Sequence, residues 1–376
     1  MEIKSSVLHS PYIIDGVRQS VTPAQILGDV SIYPPEESPA VELSPLVDET
    51  KDVDPSPVAL DARKVEKYLS AILKTSRRIP MEFAGSYTRG RIAGALLDCI
   101  WKLGHFRLGD LALDMLWKWN NLAVGNTAGF YHSVEAVGDM LDALDIKLSS
   151  YDCIHNDDEC SLEVSASLRP TSDDTDLVEQ PNTTRDPHMG AASIPNVLQP
   201  DENSWIVYIP FDSSPYRLGG SLLAQAMQIN SPLAPALDDA PYFLDCYEVV
   251  RELVEDGIVL AGVTVGEGGL LTGLKGMATS RTGAILDLSD IRRASRGADI
   301  VSILFSEIPG VIIQIRDIDF DYIDAELLLQ DVAFYPLGHP AANGGAVRVK
   351  ASAKTGIQNI LESLVQRQGG EGEDYN

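Results

Sequence analysis

The sequence predicts an α+β protein, in which strands of a mixed sheet are covered by helices packed on it. The main observation is the stretch 216–277, where a glycine turn and a short apolar helix lead into an amphipathic helix, a continuously apolar strand, a second glycine turn and another helix. A second observation is the helical spacing of apolar residues in 89–103 and in 127–144. These patterns predict two structured regions, one early and one late in the chain.

Two polar stretches separate the predicted regions. The stretch 33–58 has six prolines and seven acidic residues against one lysine, which leaves too little apolar surface to offset the entropy of ordering. We therefore predict a disordered linker there, and a second linker or long loop in 169–203. The predicted division is an N-terminal segment with its acidic linker (1–58), a reduced N-terminal α/β domain (59–168), the second linker (169–203), a C-terminal domain (204–350) and a final helix with a polar tail (351–376).

The individual elements follow from the periodicity of the apolar residues. The predicted helices are 61–75, 89–103, 127–144, 241–256, 270–278, 298–305, 322–331 and 355–366. The predicted strands are 146–151, 162–168, 205–209, 258–265, 284–288, 310–315 and 346–349. One apolar patch within 1–32 is predicted to dock as a strand on a sheet edge. Trp101, Trp117 and Trp119 are predicted to lie in the core rather than in a ligand cage.

The composition excludes several classes of protein. A formal net charge of −26 disfavours nucleic acid or an anionic membrane as a partner, because both require clustered basic residues. No apolar run approaches the roughly 18 residues of a membrane span. Four irregularly spaced cysteines fit no secreted disulfide framework, so a reducing compartment, the cytoplasm, is expected. Cys153, His155 and Cys160 match no zinc pattern.

Three segments resemble a known family. They are 217–225 (RLGGSLLAQ), 250–278, and 304–315 (LFSEIPGVIIQI), and their order and spacing are similar to the C-terminal domain of phosphoribosylformylglycinamidine (FGAM) synthase. This enzyme lies in the aminoimidazole-ribonucleotide-synthetase-like, or PurM-like, superfamily. The resemblance implies a PurM-like C-terminal domain, most similar to the second half of the large synthase, and a reduced PurM-like domain before it.

The resemblance also implies the reaction of the family. The sequence differs from the family's motif at residues that take part in that reaction. The family uses ATP and Mg²⁺ to phosphorylate an amide oxygen, and ammonia then displaces phosphate to give an amidine. The family's His-Asp-x-Ser-Asp-Gly-Gly corresponds here to 263–269, so that Val263 replaces the histidine and Thr264 the first aspartate. Glu267 keeps a carboxylate in place of the second aspartate, Glu307 matches the family's Leu-Phe-x-Glu, and Asp152 is what remains of a Gly-Lys-Asp-Ser loop. These three acidic residues are the candidate metal ligands, and no residue is assigned as catalytic.

Two glycine turns are candidate phosphate-binding sites. Gly268 and Gly269 precede a predicted helix, and Gly219, Gly220 and Ser221 precede another, so backbone N–H groups at both helix starts could hold an anion. Glycine at these positions is equally explained by tight packing of a strand against a helix. Both interpretations stay open at the level of sequence.

Two functional hypotheses follow. In the first, the chain is a non-catalytic relative of the synthase, a pseudoenzyme that acts by binding as a subunit, scaffold or regulator. It rests on the loss of the His-Asp pair, the missing N-terminal segments and the lack of a recognisable ammonia-producing domain. In the second, the chain is an ATP- and Mg²⁺-dependent ligase subunit of purine biosynthesis that completes its site with a partner chain. Because members of the superfamily pair through their N-terminal domains, a protein partner or a homodimer through that domain is expected.

Overall fold

A six-stranded mixed sheet forms the centre of the later part of the chain. The computed structural model describes residues 4–28, 40–45, 79–102, 107–157, 159–168, 193–227, 231, 233–295 and 298–349. The strands of the large sheet are β7 (Trp205–Pro210), β8 (Val259–Val265), β9 (Gly283–Leu286), β10 (Gly310–Ile315), β11 (Tyr335–Ala341) and β12 (Val347–Val349). Their order is β12-β9-β11-β7-β10-β8, and every pair is antiparallel except β12 with β9.

The large sheet is covered on both faces, as its continuously apolar strands predict. On β7, Val207 and Ile209 pack into one core, whereas Ile206 and Tyr208 pack into a second core on the opposite face. The helices of this part are α5 (Leu222–Met227), α6 (Ala240–Glu255), α7 (Gly269–Met277), α8 (Ser289–Ala294), α9 (Ile300–Phe305) and α10 (Phe320–Leu329).

The earlier part of the chain packs two helices on a three-stranded sheet. The helices are α3 (Ala84–Ile100) and α4 (Asn126–Leu144), and the strands β4 (Leu111–Trp119), β5 (Lys147–His155) and β6 (Ser161–Leu168) have the order β5-β4-β6. Trp117 and Trp119 are fully buried against Phe130, with ring centroids 5.9 and 5.5 Å away. Trp117 donates its Nε1 hydrogen to Ser133 Oγ at 2.9 Å, which satisfies its buried N–H. The prediction that the tryptophans lie in the core is confirmed.

A second three-stranded sheet lies near the N-terminus, next to α1 (Lys4–His9) and α2 (Pro23–Ile26). Its strands are β1 (Tyr12–Ile14), β2 (Val17–Arg18) and β3 (Ala40–Glu42), with β1 in the middle. One prediction is wrong here: the N-terminal strand β1 lies in the middle of this separate small sheet and not at a sheet edge. β3 lies inside the stretch predicted to be a disordered linker, and the rest of that stretch, apart from 43–45, lies outside the described residues. The Glu42 side chain accepts the backbone N–H of Gly125, which fixes β3 at the start of α4.

Several further predictions differ from the structure in instructive ways. The strand β11 was missed because Pro336 and Pro340 argue against a strand; the register shifts near Pro336, where the ladder is irregular. The short helix α8 and the strand β4 have no counterpart among the predicted elements. The predicted helices 61–75 and 355–366 lie outside the described residues.

Within the described segments, every helix is too short or too polar to cross a bilayer.

The two parts of the chain share one hydrophobic core. Residues of α3, α4 and β4 belong to the same buried cluster as one face of β7 and β10 and the inner face of α6. At the end of α3, the ring of Trp101 lies directly against Gly262 on β8, where a Cβ atom would clash with it. Gly262 also donates its backbone N–H to the Pro195 carbonyl oxygen at 2.9 Å. The absence of a side chain at Gly262 therefore brings α3 close to the large sheet.

We expect Gly262→Ala to lower the free energy of unfolding by about 1–3 kcal/mol, because the added methyl group must displace the Trp101 ring. Urea unfolding followed by tryptophan fluorescence measures the change. Gly266→Ala is the matched control, since a Cβ atom there meets nothing within 4 Å. Equal destabilisation by the two variants would contradict the assigned contact.

Candidate functional site

A cavity of about 440 Å³ lies between α3 and the two glycine turns of the later part of the chain. One wall is the exposed side of α3, and the opposite wall comes from the end of β8, the turn after it and the loop after α9. The polar side chains in its lining are Ser86, Tyr87, Arg91, Asp98, Asn196, Thr264, Glu267, Thr272 and Glu307. The cavity thus brings together residues that are far apart in the sequence.

The carboxylate of Glu307 joins the two glycine turns. Its Oε1 atom accepts the backbone N–H of Leu222, at the start of α5, and the backbone N–H of Gly268, just before α7, both at 2.8 Å. Gly268 has φ +79°, a left-handed conformation that favours glycine. A helix start carries unpaired N–H groups and a positive dipole end, and Glu307 accepts one N–H group from each of the two turns.

The protonation of Glu307 is unusual for a carboxyl group. Burial raises its pKa to about 7, although the two N–H donors oppose this change by favouring the charged form. The neighbouring carboxylate of Glu267 raises the pKa further, and Arg91 lowers it. The group therefore changes charge close to neutral pH.

Glu267 connects the second turn to α3. Its Oε1 atom accepts a hydrogen bond from the Tyr87 hydroxyl at 2.9 Å and lies 3.3 Å from the Arg91 guanidinium. Tyr87 and Arg91 are four residues apart, so they lie on the same face of α3. Burial, followed by the Glu267 charge, raises the pKa of the Tyr87 hydroxyl, which therefore stays protonated and donates.

Thr264 is held by two partners from α3. Its hydroxyl accepts the Nε1 hydrogen of Trp101 at 2.9 Å and donates to Asp98 Oδ1 at 2.7 Å. Burial raises the pKa of Asp98, and the hydrogen bond from Thr264 opposes that change. Next to Thr264, Val263 adds an apolar side chain to the cavity lining. In the position of the family's histidine, Val263 therefore presents only methyl groups. In the position of the first aspartate, Thr264 presents a hydroxyl group that already has one donor and one acceptor as partners.

The candidate glycines lie where close packing requires them. A Cβ atom on Gly269 would approach the Leu304 carbonyl oxygen to 2.7 Å, and one on Gly219 would clash with the backbone at Leu233. Gly220 has φ +76°, and a Cβ atom there would lie 3.1 Å from Phe83. Ser221 is buried and donates to the Leu218 carbonyl oxygen at 2.7 Å, so its hydroxyl serves the turn. These contacts favour the packing interpretation of both turns.

The structure does not bring the three candidate metal ligands together. Glu267 and Glu307 share the main cavity, whereas Asp152 lines a second one on the outer face of the β5-β4-β6 sheet, with Asp114 and Glu163. Asp152 accepts its neighbour's backbone N–H, that of Cys153, at 2.8 Å. Within the described part of the chain, no three His, Cys, Asp or Glu side chains are grouped so that they could hold a metal ion. The three residues therefore do not form one group in this structure, although Arg91 lines both cavities, and their role as metal ligands stays a prediction.

Sequence reasoning missed most of the α3 contribution to this site. The sequence patterns assign no role to Tyr87, Arg91 and Asp98, and they predict Trp101 only as a core residue. The i, i+4 spacing of Tyr87 and Arg91 places both side chains on one helix face, where they could contact a carboxylate such as that of Glu267. That signal becomes informative only when the packing partner of the helix is known.

Comparison with known proteins agrees with this geometry. Residues 212–317 match the family model described as AIR synthase related protein, C-terminal domain, and this range contains both glycine turns, Thr264, Glu267 and Glu307. The chain is 26% identical over 180 residues to phosphoribosylformylglycinamidine synthase of Homo sapiens. It is 25% identical over 278 residues to the probable chloroplastic/mitochondrial phosphoribosylformylglycinamidine synthase of Arabidopsis thaliana. The two alignments cover 48% and 72% of this chain but only 13% and 18% of the relatives, so the chain spans less than a fifth of their length.

Solved structures with a similar arrangement include PurLQS from Thermotoga maritima, at 13% identity and a TM-score of 0.49, covering 73% of this chain and 41% of that one. Thiamine-monophosphate kinase from Stenotrophomonas maltophilia is 16% identical, with a TM-score of 0.44. The match covers 72% of this chain and 80% of that one.

The family match identifies residues 212–317, which include β8, β9 and β10 of the mixed sheet and most of its packed helices, as an AIR-synthase-related C-terminal domain. Over parts of its length the chain is similar to FGAM synthases.

We expect the stability of Glu307→Gln, relative to the unchanged protein, to rise as the pH rises. Between the ordinary carboxyl pKa of 4.5 and the folded-state value of about 7, the unfolded chain releases a proton that the folded chain retains. The contribution of Glu307 to stability therefore falls across this window, by up to about 3 kcal/mol, whereas glutamine does not ionise and still accepts both N–H groups.

Urea unfolding at pH values from about 5 to about 8 measures this difference. Glu82→Gln, which removes an exposed carboxyl group, is the control and should follow the unchanged protein. A constant difference between Glu307→Gln and the unchanged protein at every pH would show that the raised pKa is wrong.

Proposed function

We propose that this chain is a non-catalytic relative of FGAM synthase that acts by binding. The observation that carries the proposal is the pair of hydrogen bonds at Thr264, which occupies the position of the family's first aspartate. Because its hydroxyl accepts from Trp101 and donates to Asp98, both hydrogen-bonding roles of the side chain are used within the protein. Val263, in the histidine position, can carry no proton.

The lining of the cavity supports the same proposal. The described residues that line it include no histidine and no lysine. The carboxyl group of Glu307, with its pKa of about 7, is the group suited to proton exchange near neutral pH, but it is held by two helix starts. A general acid or base must be free to approach the reacting atom, and this one is fixed in the wall.

The donor set also fits Mg²⁺ and phosphate poorly. The N–H groups of Leu222 and Gly268, which would face a phosphate group, are accepted by the Glu307 carboxylate. The second candidate ligand, Glu267, is neutralised by Arg91 and hydrogen-bonded by Tyr87. Because these contacts already occupy the Oε1 atoms of both carboxylates, ATP and Mg²⁺ are not proposed as cofactors of this chain alone.

The alternative function is a ligase subunit that completes its site with a partner chain. The specific observation that favours it is the cavity itself, about 440 Å³ in volume, with the Glu267 and Glu307 carboxylates in its wall. For either function, a protein partner or a second copy would pair through the outer face of the β5-β4-β6 sheet, where the half-exposed Leu116 and Ile154 line the second cavity.

We expect no saturable heat when ATP is titrated into the folded protein in a calorimeter, with or without Mg²⁺, which places Kd above about 1 mM. We also expect no phosphate release from ATP in the presence of ammonium and the amide substrate of the family. Circular dichroism of the same sample establishes that the protein is folded.

Two variants make this experiment decisive. Glu267→Gln removes a cavity carboxylate, and Glu248→Gln removes a carboxylate that pairs with Arg251 at 2.8 Å elsewhere on the surface. Mg²⁺-dependent binding of ATP that is lost in Glu267→Gln and kept in Glu248→Gln would contradict the non-catalytic proposal and favour the ligase subunit.

A further inference from the structure

Helix α10 carries an apolar stripe on its outer face. Ile318, in the turn before the helix, and Tyr322, Ala325 and Leu329 follow one another at i, i+4, i+7 and i+11, the spacing of a single helix face. The exposed fractions are 84% for Ile318, 52% for Tyr322 and 80% for Leu329. The opposite face of the helix is fully buried through Ile323 and Leu327, so the helix is apolar on two sides.

An exposed stripe of this kind differs from scattered surface residues. Single exposed leucines are ordinary, but large apolar side chains aligned on one helix face form a contiguous patch of the type found at interaction sites. Leu328, 74% exposed, widens the patch by one position. A helix that needs only its inner face for folding gains nothing in stability from these outer residues.

Acidic residues border the stripe on both sides. Asp321 and Asp324 lie along one flank, and Glu326 lies on the other. Arg316, the basic residue at the start of this segment, pairs with Asp319 at 2.6 Å, so its charge is compensated. The patch is therefore apolar in the middle and negative at its edges.

We propose that the α10 face, defined by Ile318, Tyr322, Ala325 and Leu329, is a docking surface for an amphipathic helix of a partner protein whose apolar residues are flanked by Lys and Arg. The apolar stripe supplies the buried contact, and the acidic border selects the charge of the partner.

A second copy of this chain fits poorly, because its own acidic border would face this one and like charges repel. The net charge of −26 adds to that repulsion. The proposal goes beyond the proposed function, since no residue of α10 lines the main cavity.

The first experiment asks whether the face is free in the full chain. All four natural cysteines are buried, so a cysteine introduced on the surface is labelled selectively. We expect Leu329→Cys and Leu122→Cys to react with a maleimide at rates within about threefold of each other, because both leucines are 80% exposed. Labelling of Leu329→Cys more than about tenfold slower would mean that another segment of the chain covers the face, and would overturn the proposal.

The second experiment uses two helical peptides of about 18 residues, or five turns, with the same leucine stripe. One peptide has lysine at every flanking position, and the other has glutamate. We expect the lysine peptide to bind with micromolar Kd and the glutamate peptide at least about tenfold more weakly. Fluorescence anisotropy of labelled peptide measures both, and raising the salt concentration to about 1 M should reduce the difference.

Matched variants locate the binding. Leu329→Ser is expected to weaken the lysine peptide about tenfold, and Leu122→Ser, an equal change at an equally exposed position elsewhere, should leave its Kd unchanged. Equal binding of the two peptides, an equal loss in both variants, or no binding of either peptide would each overturn the proposal. Sedimentation that shows a dimer abolished by Leu329→Ser would assign the face to a second copy and would overturn it too.

Discussion

The arrangement of the site depends on one carboxylate. Glu307 follows α9 and accepts N–H groups from the starts of α5 and α7, so the two glycine turns of the C-terminal domain converge on a single oxygen atom. The partial positive charge of the two helix starts compensates a carboxyl group that burial would otherwise keep neutral. The same contact uses internally the N–H donors that make a helix start an anion site. The local structure of the two turns and the use of these two N–H groups within the protein therefore have a common cause.

The other polar contacts of the cavity fix α3 to the C-terminal domain. Tyr87 and Arg91 hold Glu267, and Trp101 and Asp98 hold Thr264, at points separated by about two turns of the helix. Threonine suits this place because it is β-branched and lies in a strand, and because one hydroxyl both donates and accepts. Residues at positions where the resemblance implies chemistry thus act here as attachments between two parts of the chain.

The sequence predicts those parts of the fold that have strong local patterns. The strands at 258–265 and 310–315 and the helices at 127–144 and 241–256 were found within a residue or two, because their apolar periodicity is unambiguous. The strand β11 was not, since its prolines contradict the local pattern and only pairing with β7 and β9 makes it a strand. For the site, sequence motifs found Glu267 and Glu307 but could not pair them with α3, because the polar face of a helix does not identify its neighbour. The sequence also cannot place Asp152, whose strand, β5, brings it into a second cavity that shares Arg91 with the first.

These contacts also bear on where a partner can bind. Among the described residues, every carboxylate that lines the main cavity already has a partner, so a charged ligand that uses the same Oε1 atoms of Glu267 or Glu307 must first break contacts. A hydrogen bond to a charged group contributes about 1.5–3 kcal/mol, and losing two of them weakens binding by a factor of about 10² to 10⁴. The α10 face carries no such cost, because its apolar side chains are exposed and its acidic border is at the surface. The two proposals are therefore consistent with each other, since both favour a basic protein on the outside of this acidic chain over a nucleotide in its cavity.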